Sequence, residues 1–250
     1  MLPRANDLKE QLDITLPLIG FYDAPDPEAF EPLVTPEPRK HMCLFKFYEN
    51  WLEGNTLHLT ESNFGCGGCG YWIFSRETRD RQDFVHFLTV DEGLKDTQEL
   101  MERWIEFEKP YKPMHPHIFV GPLREDREEY LKTVTFLVNA DQLSALIIGA
   151  QYFYAPDDPL PPVVSAFGSG CMQLLPLFKD LDFPQAIIGA TDMAMRQHFP
   201  PEIMAFTVTL PLFRQLTLLD ERSFLYKPYL RNLKASRGER GIGGLINNPG

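Results

Sequence analysis

The residues of this chain whose types and spacing suggest chemistry are four cysteines, Cys43, Cys66, Cys69 and Cys171. Cys66 and Cys69 lie in the run SNFGCGGCGYW, residues 62–72, as C-x-x-C among Gly65, Gly67, Gly68 and Gly70. That spacing lets two thiolates hold one metal ion or two corners of a cluster. Glycines in such a turn admit positive φ and bring backbone N–H groups close to the sulfurs, whose negative charge those groups offset. Tyr71 and Trp72 are expected to cover one side and limit water. Cys171 follows a second glycine turn ending in Gly170, within VVSAFGSGCMQLL. The run reads as strand, turn and helix start, and a thiol at a helix N-terminus is expected to have a lowered pKa. Cys43 opens a third segment, HMCLFKFYENWLEG, with apolar residues at helical spacing.

Should the fold bring these segments together, the chain makes a site of four thiolate ligands. A [4Fe–4S] cluster suits ligands scattered over loops and helix starts. Zinc is the alternative, although structural zinc usually takes a second close pair, and Cys43 and Cys171 are far apart in sequence. A redox dithiol needs C-x-x-C at the start of a helix in a β-α-β setting, which the glycines argue against. Inert buried thiols complete the set of readings.

Asp192 and Arg196, in GATDMAMRQHF, stand four residues apart on an expected helix. They read either as an ion pair or as part of a site in which Arg196 clamps a small anionic ligand near the cysteines. The glycines Gly67, Gly68 and Gly170 would present N–H groups to the same ligand. His115 and His117 alternate as strand neighbours do, but the prolines beside them favour a surface role. His58 reads as a strand residue, and His41, two residues before Cys43, ranks below the cysteines as a ligand. Asp141 and Gln142 open ADQLSALIIGAQYF and read as helix-capping groups. Neither the P-loop nor the G-x-S-x-G elbow is present around Cys171.

The rest of the chain must position these groups. Its 250 residues suffice for one substantial core. A net charge of −11 argues against nucleic acid as the main partner. No apolar run reaches the roughly 18 residues of a membrane span, and the charged start lacks the apolar centre of a secretion signal, so a cytoplasmic protein without a membrane partner is expected. Helices are expected over residues 5–13, 44–52 and 94–108, the last with a stripe of Leu100, Trp104 and Phe107, and over ADQLSALIIGAQYF, MQLLPLFKDL (broken at Pro176) and LPLFRQLTLLDERSFL. Strands are expected in LPLIGFYDA, TLHLT, HIFVGPL, TVTFLV, PPVVS, AIIGA and IMAFTVTL, with a surface loop from Pro25 to Pro38. Strict alternation and segregation both fail. The expected fold is therefore α+β, with helices packed on a mixed sheet, in a single domain over residues 1–235. Residues 236–250, glycine-rich after a basic cluster, read as a flexible tail.

The order of these pieces resembles the ArCR family, named as archaeal conserved cysteine-rich and found also in bacteria. The matching segments are HMCLFKFYENWLEGNTLHLT, CGGCGYWIF, NADQLSALIIGA, AFGSGCMQLLP and IIGATDMAMRQHFPPEIMAFTVTLPLF, which span nearly the whole chain. The resemblance implies Cys43, Cys66 and Cys171 as firm ligands and Cys69 as an optional one, a set that fits a cluster with an exchangeable fourth iron position. It supplies no established reaction. Two functions are expected to compete. One is an iron–sulfur protein with a redox partner protein or a small bound ligand. The other is a non-enzymatic binding module with structural zinc or inert thiols.

Overall fold

The computed structural model describes residues 3–37, 42–63, 66–76, 81–166, 168, 170–175 and 181–243. Its centre is one eight-stranded sheet in the order β2-β3-β4-β1-β5-β8-β7-β6. The strands are β1 (Ile19–Ala24), β2 (Leu33–Val34), β3 (Thr56–Leu59), β4 (His117–Pro122), β5 (Leu131–Val138), β6 (Val163–Ser165), β7 (Ala186–Gly189) and β8 (Met204–Thr209). The outermost pairs, β2 with β3 and β6 with β7, are parallel, and the inner pairs are antiparallel. This is the expected α+β domain with a mixed sheet.

Period-two alternation assigns the side chains of the central strands to two faces. Tyr22, Phe119, Val134, Phe136, Phe206 and Val208 join one core, with α1 (Pro3–Gln11), α6 (Ala140–Ala150) and α8 (Leu210–Thr217) packed over it. Ile19, Phe21, Ile118, Val120, Leu137 and Ala205 face the other side, where the cysteines lie. That face is covered by the turn Leu44–Phe47, by α2 (Tyr48–Leu52) and by α3 (Gly67–Phe74). A third, smaller core joins Trp72 and Met172 to α4 (Arg81–His86) and α5 (Gln98–Phe107). The short α7 (Met193–Arg196) and α9 (Pro228–Ser236) complete the helices named here.

Several expectations need correction. The segment 25–38 is more than a surface loop: β2 lies in it, and Phe30 is fully buried, stacked on Phe119 at 4.2 Å. On α5 the buried residues are Met101 and Ile105, whereas Leu100 and Phe107 are exposed. Both sets have helical spacing, so packing against α4, not period, chose between them. The helix expected in MQLLPLFKDL is a 3-10 turn, Gly170–Leu174, and Pro176 lies outside the described residues. The expected tail holds a folded part. Ile242 is buried, its N–H donates to Asp13 Oδ2 at 3.0 Å, and its carbonyl accepts from Asn139 Nδ2. Residues 244–250 lie outside the described residues.

The residue that caps α6 is Asn139, not Asp141. Asn139 Oδ1 accepts from Gln142 N at 3.0 Å and Gln142 Oε1 accepts from Asn139 N at 3.1 Å, a reciprocal capping box. Gln142 Nε2 then donates to the carbonyls of Leu12 and Asp13, which fixes α1 against α6. Asp141 instead pairs with Arg237 at the surface. Asn139→Ala is therefore expected to lower the unfolding free energy by about 1–3 kcal/mol in a urea titration, because it removes the cap and leaves the Ile242 carbonyl unpaired. Asp141→Ala should cost less than about 1 kcal/mol. Equal losses would contradict this assignment.

Candidate functional site

Three segments remote in sequence carry the cysteines to one place. Cys43 precedes the 3-10 turn Leu44–Phe47, and the Phe45 N–H donates to its sulfur. Cys66 is the N-cap of α3: its Sγ accepts from Cys69 N at 3.5 Å and from the Gly68 N–H. The glycines therefore do begin a helix, contrary to the sequence expectation. A sulfur cap and the packing of Trp72 and Ile73 offset glycine's poor helix propensity.

Cys171 is held from below. In its 3-10 turn the Leu174 carbonyl accepts from the buried Thr133 hydroxyl of β5, and Gln173 Oε1 accepts from Ala190 N at the end of β7. Gly189 makes room for this, since a Cβ there would stand 2.6 Å from Gln173 Oε1. Gly170 opens the same turn.

The result is a cluster of thiols. Cys171 is hydrogen-bonded to both Cys66 and Cys69, and Cys43 lies within electrostatic range of all three. Cys69 is fully buried behind the others. Cys43, Cys66 and Cys171 line a cavity of about 160 Å³ together with Gly67, Gly68 and Asp192. Its apolar walls include Phe45, Phe84, Phe87 and Leu88. Phe87 and Leu88 belong to a π-helical turn that continues α4. Among the described residues, no group of three or more His, Cys, Asp or Glu side chains stands in position to hold a metal ion. The thiols contact one another instead.

The two acidic and basic candidates separate. Asp192 lines the cavity and caps α7, accepting from Ala194 N at 2.8 Å. Arg196 turns away, and its guanidinium donates to the carbonyls of Pro201 and Ile203. The cation beside Cys69 is Arg76, whose charge favours that thiolate and whose guanidinium donates to the Glu61 carbonyl and lies over Gly70, while Lys46 acts in the same sense on Cys43. A Cβ on Gly70 would stand 2.7 Å from Arg76 Nη2. Tyr71 and Trp72 do not shield the cavity as expected; they pack on Phe84 and Trp104. His115 binds the buried carboxylate of Asp23, and His117 pairs with His58 at 3.0 Å. His41 lies outside the described residues.

The family model described as Uncharacterised ArCR (DUF169) matches residues 7–217. The chain belongs to the uncharacterised ArCR family. The ArCR match includes all four cysteines and ends with α8. No curated protein and no solved structure matches the chain. No helix among the described residues is long and apolar enough to cross a membrane.

Sequence reasoning missed Arg76 and the wall from Phe84 to Glu92 in this ArCR chain. The only available signal was a cation shortly after C-x-x-C, and no motif marks the wall. Sequence reasoning also misjudged Cys171, whose pKa is raised well above the ordinary thiol value. Its hydrogen bond with Cys66 favours the thiolate, but the bond with Cys69 and burial together prevail. A one-turn 3-10 segment offers little dipole against that. Cys66 is raised by its hydrogen bond with Cys171 and by burial, Cys69 chiefly by burial. Burial pushes Cys43 up from 9.0 to about 11.

In the metal-free chain, a thiol that binds its proton more tightly folded than unfolded adds stability. That contribution is complete below the unfolded pKa and is lost as pH rises through the folded one. The urea midpoint of metal-free protein is therefore expected to fall between about pH 9 and pH 11. Part of that fall should be missing in Cys43→Ser. A wild-type minus Cys43→Ser difference that stays constant across this window would contradict the burial of Cys43.

Proposed function

We propose that the chain binds a [4Fe–4S] cluster through Cys43, Cys66 and Cys171, with Cys69 as the fourth ligand, and works as an electron-transfer protein. The observation that carries this reading is the convergence of three remote cysteine segments on one small, apolar-walled cavity. An all-sulfur donor set suits iron–sulfur clusters and zinc and is poorly suited to magnesium or calcium. The cavity beside the thiols, of about 160 Å³, offers more room than one ion needs, which favours a cluster over zinc. Bound there, the cluster would supply a reversible one-electron couple.

The chain's own residues prepare the site in three ways. Backbone N–H groups of Gly68 and Phe45 donate to the sulfurs of Cys66 and Cys43, which moderates their charge on deprotonation. The Arg76 guanidinium does the same near Cys69. Phe45, Phe84, Phe87 and Leu88 restrict water. With Arg196 engaged on backbone carbonyls and the carboxylates of Glu92 and Asp192 on the cavity wall, an anionic ligand is disfavoured. Exchange of electrons with a redox partner protein is the better reading.

Anaerobic purification followed by iron and acid-labile sulfide analysis tests this. About four of each per chain are expected, with a brown colour that bleaches on reduction. Cys43→Ser, Cys66→Ser and Cys171→Ser should each lose most of the iron, and Cys69→Ser less. A colourless chain with one zinc ion, or with no metal after anaerobic preparation, would contradict the proposal.

A further inference from the structure

A broad groove of about 720 Å³ opens at the C-terminal end of α3 and shares no lining residue with the thiol cavity. Phe74 and Arg76 line it from that end, and Lys112, His115 and His117 from the segment that enters β4. In a chain of net charge −11, the groove gathers two cations and two imidazoles against one lining carboxylate, Glu61. The Glu61 carbonyl accepts from the Arg76 guanidinium, which holds that cation at the wall. Lys112 is exposed and pairs with no carboxylate among the described residues.

The two imidazoles are oriented from behind. His115 Nδ1 lies 3.0 Å from Asp23 Oδ1 and 3.1 Å from the Asp23 main-chain carbonyl. That carbonyl can only accept, so Nδ1 carries the proton and Nε2 is the atom left for another partner. Asp23 is fully buried, and its carboxylate is fixed in turn by the Tyr111 hydroxyl at 2.5 Å and the Met114 N–H at 2.7 Å. His117 Nδ1 lies 3.0 Å from His58 Nε2, and the His58 ring stacks on Phe119. Neither His115 Nε2 nor His117 Nε2 is bonded to a described residue, and both are open to solvent. Rings locked through one nitrogen and open at the other are preorganised to meet a ligand. A metal ion does not suit this place: Arg76 and Lys112 repel it, and no three donor side chains converge here among the described residues.

We propose that this groove binds a small organic phosphate monoester. Its phosphoryl group is held by Lys112, Arg76 and the Nε2 atoms of His115 and His117, and its organic part lies against Phe74, Pro113 and Pro116. The excess of positive groups selects an anion. The imidazoles favour phosphate over carboxylate or sulfate. A monoester gains its second charge at about pH 6, in the range where imidazole titrates, so it shares a proton with Nε2 whichever partner holds it. A carboxylate or a sulfate ester has no such proton to give. The groove is several times larger than the thiol cavity and has more room than a bare phosphate ion fills, which leaves space for the organic part.

Calorimetry on the full, reduced chain tests this, with phenyl phosphate as the probe and phenyl sulfate and benzoate as controls. Phenyl phosphate should bind once per chain and move the Nε2 resonances of His115 and His117 in long-range proton–nitrogen spectra. Both controls should bind at least about tenfold more weakly. Lys112→Glu, at an exposed site, should weaken phenyl phosphate at least about tenfold while leaving the urea midpoint unchanged. His115→Asn keeps a side-chain N–H for Asp23 in place of Nδ1 and removes Nε2, so it should fold and bind at least about tenfold more weakly. Metal content does not enter these measurements. The proposal is overturned if phenyl phosphate fails to bind at about 10 mM, if phenyl sulfate binds as tightly, or if Lys112→Glu or a folded His115→Asn binds like the wild type.

Discussion

The contact on which the cysteine site depends is that of the Cys171 thiol with Cys66 and Cys69. It joins a turn between β6 and β7 to the start of α3, about a hundred residues earlier in the chain. The contact exists because Thr133 and Gln173 fix the turn from the sheet side, and because Cys66, as N-cap, points its sulfur back over the first turn of α3. In so little water the thiols stay protonated and satisfy one another. A thiolate formed there needs a cation or a donor to replace the lost solvent. Raised pKa values at all four cysteines and the gathering of three of their thiols on one apolar-walled cavity are two expressions of that one constraint.

The sheet separates two chemistries. On one face, sulfur is gathered under aromatic cover. On the other, polar groups in the same kind of core are paired with care, as the capping box of Asn139 and Gln142 shows, except at Gln185, whose buried carboxamide has no hydrogen-bond partner. A cavity sits near each end of β7. Gly189 admits Gln173 beneath the thiols, and Gln185, just before the strand, borders the second cavity.

Much of this was legible in the sequence. Alternation in TVTFLV and IMAFTVTL identified β5 and β8, and the four cysteines were singled out by type and by their glycine turns. What was not legible depended on tertiary surroundings. Glycine-rich sequence argues against a helix at Gly67, yet the sulfur cap and the buried Trp72 stabilise one. Helix-start chemistry suggested a lowered pKa at Cys171, but its neighbours reverse the sign. Arg196 and Arg76 are equivalent by residue type; the fold ties the first to the Pro201 and Ile203 carbonyls and the second to the Glu61 carbonyl beside Cys69. Its place at a helix start marked Gln142 as a capping group, whereas nothing in the sequence distinguishes Gln185 from Gln173. Their difference is whether a partner lies within reach.

The clustering of thiols can be measured without assuming any resident metal. Arsenite binds three thiols at once, and those it holds resist alkylation. Titrated into the folded, reduced, metal-free chain, one arsenic per molecule is predicted to protect Cys171 together with Cys66 and either Cys69 or Cys43, as read by mass spectrometry of the alkylated peptides. Protection confined to Cys66 and Cys69, with Cys171 alkylated as readily as before, would contradict the account.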